Sequence, residues 1–426
     1  MSQKKEVGNS RSSSANASNG ALSGLKVREI GNNVAVAYCC KLLADMGAEV
    51  IKVEDPATAN LDRQEGSIWC DDREGGDVGC LFAYVNSNKL GVTLNLETEL
   101  GKSILYDLVR DADILVEGNS PRKAKEMGLG YERLSQINNM LVVTSITPFG
   151  QTGPYREYKA YAINCSAAGG ASKSIGELGR EPLSVPLYQP HFQSGLMAAA
   201  ATLGAILARD SIGRGQHIDI GETEVWLTHL AGYGLHGFVF YEQKVIRKGR
   251  TMAGLFPNGI LECKDGEVSF STNTGRQWKH FLEIVGDGEI PSWYSSNPVY
   301  TNTNFQELHR KYGDELRARL EPLLKRKTRD ELMALGQEKH VALAPLRTIA
   351  EVLEDPHLNA RGYFVEVDDP RLGRVKFPGP PFRLAKTPCR IERPAPVPGQ
   401  HNEEVYCGRL SYSKKYLTEL RRQGVI

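Results

Sequence analysis

His191 stands in "LYQPHFQSGLMAAAA", residues 187–201, just ahead of a run of small apolar residues. An imidazole at the mouth of a helix can serve as a base or a nucleophile when a second side chain orients it. No H-E-x-x-H, G-x-S-x-G or Ser-His-Asp spacing accompanies it, so the hydrolase patterns have no foothold. Gly101-Lys102-Ser103 resembles the end of a phosphate loop, but Leu96 stands where the first glycine is required. These residues are expected at a helix N-terminus with Lys102 exposed. The glycines of "AAGGASKSIGELG" (167–179) lack the strand-GxGxxG-helix order of a dinucleotide site and read as a loop. The eight cysteines, at 39, 40, 70, 80, 165, 263, 389 and 407, show no C-x-x-C and no paired histidines. Thiols in a reducing cytoplasm and no metal site are expected.

The elements that position these residues alternate between short β-rich runs and helical ones. "LKVREI", "AVAYCCKLLADMG" and "AEVIKVE" predict β-α-β, with Gly47 closing the helix. "GVTLNL", a helix over "ELGKSILYDLVRDA", "DILVEG", a helix over "KAKEMGLGYERLSQIN" and "MLVVTSITPFG" continue the theme, which predicts helices covering a mostly parallel sheet. "GRGQHIDIGETEVWLTHLAGYGLHGF" reads as a strand feeding a second long helix. "AGLFPNGILECKDGEVSFST" reads as a hairpin turning at Asp265-Gly266, and "VEVDDPRLGRVKFPGPPFRL" as another. The last helix, about 413–423, is polar and expected at the periphery.

A formal charge of +1, from 52 Lys plus Arg against 51 Asp plus Glu, excludes a global field for nucleic acid or an anionic membrane. The longest apolar run, "LMAAAATLGAILA" (196–208), is 13 residues, too short to cross a bilayer, and is expected to be a buried helix. Residues 1–23, rich in Ser, Asn and Gly, are expected to form a disordered tail.

Six runs then bear a resemblance. "LLADMGAEVIKVEDP", "NSNKLGVTLNLET", "ADILVEGNSPRKAKEMGLGYERL", "SITPFGQTGPYREYKAY", "RGQHIDIGETE" and "EDPHLNARGYF" resemble, in order, the signatures of the family III CoA-transferases. The resemblance implies a large Rossmann-like α/β domain from both chain ends (24–235 and 346–426). A smaller inserted α+β domain with its linkers (236–345) and an interlocked-ring dimer are implied with it. It also implies that CoA moves from an acyl-CoA to a free carboxylate. An Asp carboxylate attacks the thioester to give a mixed anhydride, and the CoA thiolate then attacks that anhydride to give an enzyme thioester. CoA thioester is then a substrate, and no cofactor is held permanently.

The family's nucleophilic Asp falls on His191, and no Asp or Glu occurs between Glu181 and Asp210. The first βα turn has Val34-Ala35-Val36-Ala37-Tyr38 where the family resembles V-L-A-G-P, so a glycine is missing there. The general-base position of the related racemases carries Tyr161. For the CoA phosphates the resemblance implies Lys89 and Arg63, with Arg122, Lys123 and Met127 on the helix after "VEGNSP"; Leu90 and Glu126 replace two of the family's arginines.

Three fates of His191 follow. It is a substitute nucleophile, or a base needing a partner acid for which Tyr161 is poorly suited, or the mark of a pocket that has lost catalysis. The three losses together favour the last. They imply a cytoplasmic hetero-oligomer whose homologous second subunit carries the Asp. A CoA-transferase-like scaffold without chemistry is the alternative from another class.

Overall fold

Five of the first six strands are buried on both faces along almost their whole length, charged residues such as Glu29, Lys52 and Glu54 included, the pattern of a parallel sheet covered on each side. The computed structural model describes residues 20–59, 63, 79–177, 179–230, 235–242, 247, 249 and 258–426, which fall into two units. The first comprises residues up to Lys159, His191–Glu222 and Tyr363–Ile426. Its sheet contains β1 (Lys26–Ile30), β2 (Glu49–Glu54), β3 (Leu90–Thr93), β4 (Ile114–Glu117), β5 (Val142–Thr147) and β6 (His217–Gly221). They lie in the order β3-β2-β1-β4-β5-β6, all parallel. The order reverses between β1 and β4, where doubly wound sheets open a crevice at their carboxyl ends.

Helix α1 (Val34–Asp45) is capped by Asn33, whose Oδ1 accepts the Ala35 N–H at 2.6 Å. The single helix expected over 123–138 is two, α2 (Pro121–Glu126) and α3 (Tyr131–Ile137). Gly128, at φ +78°, breaks it where a Cβ would meet Tyr106 Oη at 2.6 Å. The residues expected as a tail are outside the description up to 19, but 20–23 are a fastened turn. Leu22 N–H donates to the Met46 carbonyl at 2.9 Å. The Gly101 run is the first turn of a helix, Glu99–Val109, with Lys102 paired to Glu99 at 2.7 Å.

Helix α4 spans Gln189–Ile212, 24 residues, which is longer than its apolar run suggests. Among the described residues it is one helix long and apolar enough to cross a bilayer by length and composition. Its small and polar side chains, Ser194, Ala198, Thr202 and Ala205, are buried, whereas Leu196, Met197 and Leu207 are exposed. The expectation of a buried helix therefore holds for one face only. That face is tied to the sheet by Thr202 Oγ1 against Thr144 Oγ1 at 2.7 Å and by Arg209 against Asp113 at 2.9 Å.

The C-terminal segment closes the free edge of β3. Gly91 N–H donates to His401 Nδ1 at 3.0 Å, Thr93 N–H to Asn402 Oδ1 at 2.9 Å, and Tyr406 Oη to the Thr93 carbonyl at 2.8 Å. The last helix, Lys414–Arg422, is not peripheral. Leu417 and Leu420, with Val425 and Ile426, join the main core, because a mostly charged helix needs only one apolar stripe to dock.

The second unit takes in Ala160–Pro190 and Thr223–Gly362, wider than the expected 236–345. Gly169 reaches it by packing against Trp226, where a Cβ would lie 3.0 Å from the indole. At the other end Arg329 holds the Leu346 carbonyl and Glu351, each at 2.7 Å, which binds the residues after 345 to the unit. Its antiparallel sheet runs Gly259–Cys263, Gly266–Ser271 and Ala342–Pro345. The expected long helix after β6 is described as Glu222–Leu230 and His236–Tyr241, with 231–234 outside the described residues.

His309 is buried in this unit's core, edge-on to Trp278, with Nδ1 donating to the Phe305 carbonyl at 2.6 Å. Burial holds its pKa down at about 4, against the pull of the Phe305 carbonyl. The folded state therefore takes up this proton later than the unfolded chain. Stability is unaffected by this group above pH 6.5 and falls as the pH drops towards 4, where the loss reaches about 3 kcal/mol. Urea midpoints measured from pH 7 to 4 are expected to fall, and less steeply in His309→Leu.

Candidate functional site

The carboxyl end of β1 turns through Gly31, at φ +103°, into Asn33 and α1. Residues 34–38, expected as a glycine-deficient turn, are instead the opening turns of α1, and the left-handed residue lies three positions earlier at Gly31. Helix α4 packs closely on α1. A Cβ at Gly195 would stand 2.6 Å from the Ala35 carbonyl, and Tyr38 meets Phe192 edge-on at 4.8 Å. This approach sets His191, in the first turn of α4, beside Asn33.

His191 is 7% exposed. Its Nδ1 meets the carboxylate of Glu222, the first residue of α5 (Glu222–Leu230), which is fully buried. The other carboxylate oxygen accepts from Asn33 Nδ2 at 3.4 Å. Glu222 reaches this point because β6 pairs in register with β5, from Val143 against His217 to Thr147 against Gly221, and ends there. A buried carboxylate is costly unless it is paired and hydrogen-bonded, and here one imidazole and one amide do both. Sequence reasoning missed Glu222. It stands in "IDIGETE", at a strand-to-helix junction beyond the stretch between Glu181 and Asp210 that lacks a carboxylate.

The cations expected to meet phosphates divide sharply. Lys89 is 1% exposed, and its ammonium donates to the Ala37 carbonyl at 2.9 Å and Asn86 Oδ1 at 2.9 Å, and pairs with Glu29 at 2.6 Å. Burial lowers its pKa against the attraction of Glu29. Arg63 is also buried, paired with Glu54 at 2.7 Å, bonded to the Pro396 carbonyl and stacked on Phe82. Both charges are engaged inside the fold, because the β1–β3 strands bury Glu29 and Glu54 that require partners. Arg122 is different, 81% exposed and only 3.9 Å from Glu126, with Lys123 exposed beside it. Met127 ends α2 and packs partly against the main core. Tyr161 lies in the second unit and is exposed. Among the described residues no group of three or more His, Cys, Asp or Glu could hold a metal.

The model of CoA-transferase family III matches residues 22–402. The chain belongs to that family. It is 30% identical over 413 residues to the succinyl-CoA–D-citramalate CoA-transferase of Chloroflexus aurantiacus, covering 95% of this chain and 98% of the relative. It is 27% identical over 385 residues to the succinate–glutarate CoA-transferase of Agrobacterium fabrum, covering 90% and 94%. The crystal structure of a CaiB/BaiF family protein from Brucella suis superposes with a TM-score of 0.79 at 27% identity, covering 92% of this chain and 99% of that one. Transferase chemistry on CoA thioesters is thus the setting in which the His191–Glu222 pair must be understood. Where the resemblance places the family's attacking carboxylate, this chain has an imidazole that meets the carboxylate of Glu222.

Proposed function

We propose that this chain is the catalytically silent subunit of a cytoplasmic, hetero-oligomeric family III CoA-transferase whose homologous partner supplies the nucleophilic Asp. The reaction moves CoA from succinyl-CoA to a dicarboxylate such as (R)-benzylsuccinate, in anaerobic toluene degradation. The observation that carries the silence is the buried contact between His191 and Glu222, which engages the position of the nucleophile within the chain itself. The engagement of Lys89 and Arg63 supports it, since an acyl-CoA would find neither charge available. The outward Leu196, Met197 and Leu207 of α4 support a partner chain, for which an interlocked-ring dimer provides cover. Relatives named for succinate, glutarate and citramalate support a dicarboxylate acceptor. The benzylsuccinate assignment rests on the resemblance to the aspartate-lacking subunit of succinyl-CoA:(R)-benzylsuccinate CoA-transferase.

A second reading, a homomeric transferase or isomerase using His191, is favoured by one feature. A carboxylate on Nδ1 is how a catalytic imidazole is oriented. The two readings separate on the native complex incubated with succinyl-CoA, trapped with hydroxylamine or borohydride and weighed chain by chain. Modification confined to a co-purifying partner is expected. Transfer by the purified chain alone, abolished in His191→Ala, would overturn the silent assignment.

A further inference from the structure

The Glu222 carboxylate is bound in the way a free carboxylate ligand would be. It is fully buried, one oxygen meets a ring nitrogen of His191 and the other an amide N–H of Asn33. The two partners come from separate helices. Asn33 is the N-cap of the 12-residue α1 and His191 lies in the first turn of the 24-residue α4, so the anion is met by side chains from the starts of two helices. Asn33 spends its Oδ1 on the Ala35 N–H, which leaves its Nδ2 facing Glu222. The close approach of α1 and α4 at Gly195 fixes the two donors relative to one another without help from Glu222. The donors thus belong to the scaffold, and the carboxylate is delivered to them from the end of β6.

We infer that Asn33 and His191 form a carboxylate-binding site, and that Glu222 is a built-in ligand that keeps the acid group of a substrate out of it. The inference rests on the silent reading above and gives it a physical cause: the position is filled by an anion of the chain's own. Truncating Glu222 at Cβ removes a CH2–COO⁻ group, the size of one acetate, and leaves the Asn33 and His191 donors in place. Free formate or acetate then occupies the vacated site in trans.

The test uses the full chain, as purified with any partner, in three forms: wild type, Glu222→Ala and Glu222→Gln. Melting temperature and calorimetric binding are followed with sodium formate, acetate and succinate, with equimolar chloride as the control for ionic strength. Glu222→Ala is expected to melt below wild type and to regain stability in formate or acetate well beyond the gain in chloride, binding them at least about tenfold more tightly than wild type does. Glu222→Gln, which keeps the volume filled, is expected to show no such gain. If Glu222→Ala does not fold, Glu222→Ser, smaller and polar, is read in its place. Folded Ala or Ser variants that respond to formate no more than to chloride would overturn the inference. So would failure of both to fold at any formate concentration, since the free anion should replace the missing side chain. Carboxylate rescue together with CoA transfer by the chain alone would instead refute the silent reading and leave the carboxylate site standing.

Discussion

Restoring the family's residue with His191→Asp is expected to destabilise the protein and to give no CoA transfer. An Asp Oδ falls near the place of the His191 Nδ1, so the new carboxylate lands against the buried carboxylate of Glu222. Two like charges in that setting cannot both ionise cheaply, and the loss of the imidazole removes the partner Glu222 has. A cost of about 3–5 kcal/mol at neutral pH is expected, the range for breaking a buried charge pair. The deficit should shrink on mild acidification, as one of the two carboxylates takes up a proton. It should shrink as well in the double variant His191→Asp/Glu222→Gln, where an amide faces the new acid. His191→Asn, which keeps a donor at the Nδ1 position, should cost far less. Denaturation midpoints of these three variants and the wild-type protein across pH 5–8 check the pattern. An active, stable single His191→Asp enzyme would mean that the site is intact apart from its nucleophile.

Lys89→Ala is the second large effect. Removing this ammonium leaves Glu29 with Lys52 as its remaining cation at 2.9 Å and leaves the Ala37 carbonyl and Asn86 Oδ1 without this donor. A loss of about 3 kcal/mol is expected, at the lower end for a broken buried pair because Lys52 stays. Arg122→Ala, at an exposed position, should change stability by no more than about 0.5 kcal/mol. Chemical denaturation measures both. The contrast also locates CoA. If any of the cations matched to the family meets its phosphates, titration with CoA should register Arg122→Ala and Lys123→Ala. Arg63 and Lys89 variants should act through stability.

The difference between these lysines and arginines shows how far the sequence could be read. Lys89 and Arg122 are alike as letters, each a cation in a matched run, yet one is enclosed by β1–β3 and the other projects into water. The same limit applied to the last helix. Its charged residues suggested the periphery, but Leu417 and Leu420 lie three apart on one stripe and enter the core. In α4 the run of small residues marked a helix correctly, while which face was covered depended on the sheet beneath it.

What the sequence by itself determined was local and periodic. Short β-rich runs alternating with helical ones specify a parallel α/β sheet, and the order of six matched runs specifies the family. The absence of a carboxylate between 181 and 210 is equally a property of the letters. Only the tertiary structure decided what stands in its place. Glu222 lies 31 residues from His191 and 189 from Asn33, and no periodicity spans such distances. Their meeting depends on a parallel sheet that puts the carboxyl ends of β1 and β6 on one edge, with β4 and β5 between them, and on the start of α4, which closes the histidine onto a carboxylate.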